Sequence, residues 1–242
     1  MRIIYKILGF IEIFLKAIKA QFKQNECQKF SDNIKLYWLL YRAPKYFDRD
    51  LEYPWVIKHI DIKEGKLLDI GSTVGIMLKE LLPQGLEIYC LDLNVRAKID
   101  SSIKFSTGDV RSTDFKDNLF NTITCISTLE HVGVEGRYKV KKDEFGDIKA
   151  MKEMLRILKP GGKLVLTVPY GAKDMLPFNK LYNKERLSEL FKGYNLKVSE
   201  YLRFNSKYKL WLSTTEADAA TTDWNKEPWY ALGLFILEKP SK

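Results

Sequence analysis

The sequence is poor in the two residue types from which most metal sites and disulfide frameworks are built. Its 242 residues include only three cysteines and two histidines. Cys27, Cys90 and Cys125 are odd in number and show no Cys-x-x-Cys spacing, and two of them lie within apolar runs. This pattern favours reduced thiols in a cytoplasmic protein over disulfides, and it also disfavours a metal site.

The chain also lacks a long apolar run that is free of charge. The most hydrophobic stretch, residues 1–24, places its charged residues on one face of a helix and Ile, Leu and Phe on the other. No uncharged run there approaches the roughly 20 residues that span a bilayer, and Glu12 interrupts the apolar region that a secretion signal requires. We therefore predict an amphipathic N-terminal helix. It lies either on an anionic membrane surface or against protein, in the same chain or in a second subunit.

Size and charge set broader limits. A chain of 242 residues with 45% hydrophobic composition favours one elaborated domain over two complete ones. The formal net charge of +9 favours approach to nucleic acid, an anionic membrane or an acidic substrate, but it selects none of them.

From residue 66 onward, short apolar runs alternate with amphipathic stretches, which is typical of an α/β fold with a doubly wound, mostly parallel sheet. We predict seven strands. They are Lys66 to Ile70, Glu87 to Leu91, Ile103 to Thr107, Phe120 to Ile126, Gly162 to Val168, Leu196 to Leu202 and Tyr230 to Leu237. A helix over Ile148 to Leu158 precedes the fifth strand, and the long connection from Asn205 to Glu227 carries a helix or serves a site. We expect helices over 25–64 and the sheet over 65–242.

A glycine-containing loop follows the first strand. Gly71 and Gly75 allow the backbone to turn sharply against a ligand, ahead of a helix whose N-terminal N–H groups are available. A dinucleotide fingerprint would also need glycine at Thr73 and Ile76, so NAD binding is disfavoured. Asp69, at the end of the strand, is placed either to accept a hydrogen bond from an amino-bearing ligand or to cap the loop amides.

The next two strands also end in carboxylates. Asp92, followed by Leu93, can accept hydrogen bonds from both hydroxyls of a ribose. Asp109 can accept one from an exocyclic amine, and the adjacent Val110 offers an apolar surface to a purine. Because these carboxylates coincide with the glycine loop, chance placement of turn-forming Asp residues is disfavoured.

Together these motifs resemble the ordered motifs of class I S-adenosylmethionine-dependent methyltransferases, a Rossmann-like fold. The resemblance covers about residues 60–240 and includes Leu158 to Gly162. It implies that Asp69 lies near the methionine end of S-adenosylmethionine, that Asp92 holds the ribose, and that Asp109 and Val110 hold the adenine. The family usually has glycine where Thr73 stands, which is a departure. The cofactor residues implied are Asp69, Gly71, Ser72, Thr73, Gly75, Asp92, Leu93, Asp109, Val110, Ser127 and Thr128.

Within the family, the segments Ser127 to Gly133, Gly136 to Tyr138 and Val168 to Gly171 resemble a subgroup associated with glycan and surface-polysaccharide gene clusters. The resemblance implies an acceptor that is a small molecule, a glycan or a lipid-linked saccharide.

His131 follows the fourth strand, where the acceptor approaches in this fold. We predict that it acts as a general base on a hydroxyl, with Glu130 orienting its ring. The alternative is that both residues cap the adjacent helix and shape the cofactor pocket. Arg137, Tyr138 and Tyr170 are candidate acceptor-binding residues, and surface packing is their alternative role.

The leading hypothesis is therefore in-line methyl transfer from S-adenosylmethionine to an acceptor oxygen. RNA methylation is an alternative favoured by the charge. It is weakened because Ser127 to Glu130 replaces the Asn/Asp-Pro-Pro-aromatic loop of amino-group methylases, and because Cys125 lies inside a strand. A degenerate, non-catalytic partner protein at the membrane is a further alternative, which the retained Asp69, Asp92 and Asp109 disfavour.

Overall fold

The computed structural model describes residues 48–60, 64–71, 85–94, 102–135, 138, 140–176, 178–207, 210–227 and 229–241. The predicted N-terminal helix over 1–24 and most of the helical region predicted over 25–64 lie outside these residues. The same holds for four predicted site residues, Ser72, Thr73, Gly75 and Arg137.

The described residues form one eight-stranded sheet with helices beside it. The strands are β1 (Gly65–Ile70), β2 (Leu86–Asp92), β3 (Lys104–Thr107), β4 (Phe120–Ile126), β5 (Leu158–Tyr170), β6 (Asn195–Asn205), β7 (Leu210–Thr214) and β8 (Ala231–Glu238). The helices are α1 (Arg49–His59), α2 (Gly146–Ile157), α3 (Lys184–Leu190) and α4 (Glu216–Ala219), and a 3₁₀ turn spans Leu129–His131.

The strand order is β3-β2-β1-β4-β5-β8-β6-β7. Strands β1 to β5 are parallel to one another, whereas β8 runs antiparallel to both β5 and β6, and β7 runs antiparallel to β6. The chain first builds outward from β1 through β2 to β3, and then crosses to β4 on the other side of β1. The carboxyl ends of β1 and β4 therefore flank the switch point at which open α/β sheets bind ligands.

Helices cover both faces of the sheet, as the alternating sequence pattern predicts. On one face, Met151 and Met154 of α2 and Leu187 and Leu190 of α3 belong to the same apolar cluster as Phe235 of β8. On the other face, Val56 of α1 packs with residues of β1, β2 and β5, among them Leu67, Ile88 and Val165. The doubly wound α/β fold with a mostly parallel core is confirmed.

The strand count is corrected from seven to eight. The connection predicted from Asn205 to Glu227 contains strand β7 as well as the short helix α4. Trp211 of β7 packs against Phe204 of β6, with ring centroids 5.7 Å apart, and this contact holds the additional edge strand in place.

The segment from Lys159 to Gly162, where the predicted helix ends and the predicted fifth strand begins, lies entirely within β5. The register with β4 shifts there, since Phe120 pairs with Leu158 and Thr122 pairs with Lys163. Gly161 takes a φ of +74°, so the Pro-Gly-Gly sequence forms an irregularity within the strand rather than a break before it.

Within the described part of the chain, no helix is long and apolar enough to cross a membrane. Of the three cysteines, Cys90 and Cys125 are buried free thiols, whereas Cys27 lies outside the described residues.

Candidate active site

A cavity of about 270 Å³ opens at the carboxyl ends of β1 to β4, at the switch point of the sheet. Its walls combine the ends of the parallel strands with the start of α1 and the segment that follows β4. The lining residues are Arg49, Ile70, Gly71, Leu91, Asp92, Leu93, Asn94, Gly108, Asp109, Val110, Arg111, Ser127, Thr128, His131, Val132, Gly133, Tyr138 and Val140. Residues predicted from separate parts of the sequence thus meet at one site.

Gly71 forms the floor of the cavity where β1 ends. Its φ is +76°, and a Cβ atom at this position would lie 2.2 Å from Thr128 Oγ1. Its N–H donates to the Leu91 carbonyl at 2.9 Å, which joins the loop to β2. Only glycine adopts this backbone conformation without a clash. The main chain at residue 71 therefore lies close to any ligand in the cavity.

The two acidic residues that end β1 and β2 have different surroundings. Asp92 lines the cavity, and its Oδ1 accepts the Asn94 N–H at 3.0 Å. Asp69 is not among the lining residues: its side chain is buried, and Oδ1 accepts the Thr124 hydroxyl at 2.8 Å. Asp92 therefore presents a carboxylate to a ligand, whereas Asp69 supports the strand end from beneath.

Asp109 lines the cavity beside Arg111, a residue that the sequence reasoning did not single out. Arg111 Nη2 donates to Asp109 Oδ2 at 2.6 Å, and its Nη1 donates to Asp143 Oδ2 at 3.0 Å. The hydrogen bond from Arg111 holds the pKa of Asp109 below its usual range. An adenine amine would consequently share the Asp109 carboxylate with a guanidinium. Val110 lines the same wall.

The opposite wall is formed by Arg49 at the start of α1. Arg49 donates to Glu52 Oε2, one helical turn later, and to the Ser127 carbonyl at 3.3 Å. Glu52 is fully buried, and its Oε1 accepts the hydroxyls of Ser127 at 2.5 Å and Thr167 at 2.6 Å. Burial lowers the pKa of Arg49, but Glu52, Asp48 and Glu130 outweigh it and raise the pKa overall. The guanidinium is therefore charged and fixed at the cavity wall, where it can bind an anionic group.

Ser127 and Thr128, both predicted cofactor residues, line the cavity between these walls. Ser127 has a φ of +36°, which is unusual for a residue with a side chain. Glu52 accepts its hydroxyl, and Thr167 accepts its N–H at 3.0 Å. These contacts stabilise a strained backbone directly at the site.

His131 also lines the cavity. Its Nδ1 lies 3.0 Å from the Phe178 carbonyl, which can only accept, so Nδ1 carries the proton and Nε2 is the basic nitrogen. Nε2 lies 3.8 Å from Glu130 Oε1. This is too long for a hydrogen bond, so Glu130 lies near the ring without being bonded to it.

Glu130 is 2% exposed, and its Oε2 has no hydrogen-bond partner among the described residues. Burial raises its pKa to about 8, and the carboxylates of Glu52 and Asp48 add to the effect while Arg49 opposes it. Glu130 is therefore mostly protonated at neutral pH, and it presents a carboxyl group rather than a carboxylate to His131.

Of the three candidate acceptor-binding residues, the two that the structure describes lie in different surroundings. Tyr138 lines the cavity, with its ring centroid 5.4 Å from that of His131. Tyr170 instead is completely buried and donates its hydroxyl to Glu216 at 2.5 Å. It packs against Tyr201 in the sheet, so the prediction that it contacts an acceptor is corrected. Arg137 lies outside the described residues.

With this geometry in place, the chain was compared with known proteins. A methyltransferase domain family matches residues 41–201. The chain belongs to the class I S-adenosylmethionine-dependent methyltransferases. The matched segment includes the cavity-lining residues from Arg49 to Val140.

Among curated relatives, the methyltransferase is 32% identical over 117 residues to a demethylmenaquinone methyltransferase from Paenarthrobacter aurescens, covering 46% of this chain and 42% of that protein. It is 23% identical over 205 residues to norajmaline N-methyltransferase from Rauvolfia serpentina, covering 78% and 66%. The matches thus span about half the length of such relatives.

A solved structure with a similar fold is the N-methyltransferase NodS from Bradyrhizobium japonicum in complex with S-adenosyl-L-homocysteine. It superposes with a TM-score of 0.54 and 18% identity, covering 84% of this chain and 91% of NodS.

The residues of this methyltransferase fit its cofactor. Gly71 leaves room where a Cβ would not fit, and Asp92 presents a carboxylate that can hold the ribose hydroxyls. Sequence reasoning missed Arg49, Glu52 and Arg111. The spacing of Arg49 and Glu52 is the only available signal, and it looks the same as that of an exposed helical ion pair.

Proposed function

We propose that this methyltransferase methylates an oxygen of a small molecule, a glycan or a lipid-linked saccharide. The observation that carries the proposal is His131 in the cavity wall, with Nδ1 held by the Phe178 carbonyl so that Nε2 is basic. A hydroxyl is a weak nucleophile until it loses its proton, so an imidazole at this place suits an oxygen acceptor.

S-adenosylmethionine supplies a methyl group on a positively charged sulfur, an electrophile that needs alignment more than activation. The chain would hold it with Gly71 beneath, Asp92 at the ribose, Asp109 and Val110 at the adenine, and Arg49 at the methionine carboxylate. His131 Nε2 would accept the proton of the acceptor hydroxyl as the oxygen takes the methyl group. The neighbouring Glu130 carboxyl, whose pKa is raised by burial, would lie beside the ring without a hydrogen bond to it.

Binding is tested by calorimetric titration of S-adenosylmethionine into wild type, Asp92→Ala and Asp114→Ala. Asp114 is an exposed carboxylate outside the cavity and serves as the matched control. Loss of charged hydrogen bonds to the ribose should weaken binding by about 10- to 100-fold in Asp92→Ala and leave Asp114→Ala unchanged. No heat of binding to the wild type would support the degenerate partner and remove the enzyme hypothesis.

The atom that receives the methyl group is tested with S-adenosylmethionine labelled with ¹³C at the methyl carbon and a panel of alkyl glucosides, nucleosides and amines. The ¹³C chemical shift of the product separates an O-methyl from an N-methyl group. An O-methyl glucoside supports the proposal. Methylation only of amines, in line with the names of norajmaline N-methyltransferase and NodS, contradicts it, and so does methylation only of nucleosides.

A further inference from the structure

Large apolar side chains are exposed around the His131 side of the cavity. They are Tyr138, Phe145, Leu176 and Phe178, and we call them the apolar rim. Leu176 is 61% exposed and Phe178 is 58% exposed. Clusters of this kind on a soluble protein usually mark a binding surface, since scattered single residues are the norm elsewhere.

The apolar rim is continuous with the cavity. The Phe178 carbonyl contacts His131 Nδ1 at 3.0 Å, and the Tyr138 ring packs against the same imidazole, with ring centroids 5.4 Å apart. Phe145 directly precedes Gly146, whose position against the cavity residue Gly133 leaves only 3.0 Å for a Cβ. Tyr138 and Phe178 thus adjoin His131 directly, and Leu176 lies on the same segment as Phe178.

The backbone beneath Leu176 and Phe178 is well held. Met175 and Asn179 exchange two N–H···O hydrogen bonds, of 2.9 and 3.1 Å, and the Phe178 N–H donates to the Met175 carbonyl at 2.7 Å. The Lys180 N–H donates to the Glu130 carbonyl at 3.1 Å, which fixes the segment to the site. The exposed side chains are thus presented by a formed structure, as in a preorganised ligand site.

Two of the described lysines near the apolar rim are paired with carboxylates. Lys180 pairs with Asp147 at 3.1 Å, and Lys149 pairs with Asp143 at 2.9 Å. An anionic membrane surface is attracted by an excess of cations, which these pairs do not offer. The surroundings favour a neutral apolar ligand instead.

We propose that the apolar rim binds the hydrocarbon chain of an amphiphilic methyl acceptor, whose polar head enters the cavity beside His131. This rests on the proposed function and narrows it to the lipid-linked class of acceptor. Leu176 and Phe178 would provide most of the contact, because they are the most exposed members of the rim on the segment that touches His131.

The test measures binding of hexyl, octyl and decyl glucoside, each below its micelle concentration, in the presence of S-adenosylhomocysteine. Glucose is the probe without a chain. We expect affinity to rise about fourfold for each methylene that becomes buried, and glucose not to bind measurably. The double variant Leu176→Ser/Phe178→Ser should lose at least 10-fold in affinity for decyl glucoside. The contact between residue 178 and His131 is made by the backbone carbonyl, so the double variant retains it.

Leu196→Ser is the matched control. Leu196 is 51% exposed and pairs with Leu237, at the end of the sheet opposite the cavity. It should bind decyl glucoside as the wild type does. Binding of S-adenosylhomocysteine should be equal in all three proteins, which shows that each is folded and separates this test from that of the proposed function.

Affinity that does not depend on chain length would overturn the proposal, as would equal losses in the double variant and in Leu196→Ser. The two other candidate occupants of the rim are a second copy of the chain and a membrane. Sedimentation of the three proteins, alone and with phosphatidylglycerol vesicles, tests both. If the double variant dissociates a wild-type dimer, the rim binds a second copy. If it loses only vesicle binding, the rim contacts a membrane. Either result contradicts the proposal.

Discussion

The two walls of the cavity hold their charges in opposite ways. The Asp109 wall (Asp92, Asp109, Arg111) is partly exposed, and Arg111 lowers the pKa of Asp109. The Glu130 wall (Arg49, Glu52, Glu130) has two carboxyl groups at 0% and 2% exposure, and burial raises the pKa of each. The Asp109 wall thus holds ionised groups in contact with solvent. The Glu130 wall keeps two carboxyl groups away from solvent beside the residue proposed to act as base, and only the Arg49 side chain, at 33% exposure, reaches the surface.

The first prediction concerns Glu52. Glu52→Ala removes the acceptor of Arg49 and of two buried hydroxyls, and should lower the free energy of unfolding by about 3 kcal/mol. Chemical denaturation measures this. Glu52→Gln is the matched control: it retains an oxygen for Ser127 and Thr167 and should cost less. A loss below about 1 kcal/mol in Glu52→Ala would show that this wall is held like an exposed ion pair.

The second prediction concerns the pH dependence of stability. Because the pKa of Glu130 is raised from 4.5 to about 8, the folded state binds its proton more tightly than the unfolded state does. The stability it contributes is fully present below pH 4.5 and is lost as the pH rises to about 8. Relative to Glu130→Gln, the wild type should lose up to about 1.4 kcal/mol per pH unit across that window.

Glu153→Gln is the control with the opposite sign. Its hydrogen bond from Arg156 lowers the pKa of Glu153 to about 2, so its contribution is present above pH 4.5 and is lost on acidification. Unfolding measured from pH 4 to 9 should therefore separate Glu130→Gln from the wild type while leaving Glu153→Gln parallel to it above pH 5. Parallel curves for all three proteins would contradict the burial of an ionisable Glu130.

The smallest expected effect is at Arg111. Arg111→Ala should lower the free energy of unfolding by less than about 1 kcal/mol, and 1 M NaCl should reduce the difference, because the pair with Asp109 is partly exposed. NMR titration should show the pKa of Asp109 rising toward its ordinary value in the variant. A loss as large as that of Glu52→Ala would make the two walls alike.

The sequence predicts Asp92 and Asp109 of the Asp109 wall and Glu130 of the other wall, but it misses Arg111, Arg49 and Glu52. Asp92 and Asp109 could be found because the ends of neighbouring parallel strands meet at one edge of a sheet, so strand assignment alone brings them together. Arg49 and Glu52 precede the sheet, and their position depends on how α1 packs across β4 and β5. That packing brings residues about 75 and 115 positions apart into contact, as the Glu52 hydrogen bonds show. The local sequence pattern does not indicate this packing.

The errors have a similar origin. Tyr170 ends β5 and was expected to face an acceptor, but packing with Tyr201 and the hydrogen bond to Glu216 turn it into the core. Strand β7 is only five residues long, and its pairing with β6 decides its conformation. In both cases contacts distant in sequence outweigh local preference.

The path of α1 has a consequence for where the catalytic domain begins. A boundary at residue 65, where the first strand begins, is the natural division by sequence pattern. However, Arg49 forms part of the cavity wall, and Glu52 ties the ends of β4 and β5 together through Ser127 and Thr167. A protein shortened to residue 65 would retain every strand of the sheet and still lose one side of its binding site. We therefore expect the minimal cofactor-binding unit to include the helix that precedes the first strand.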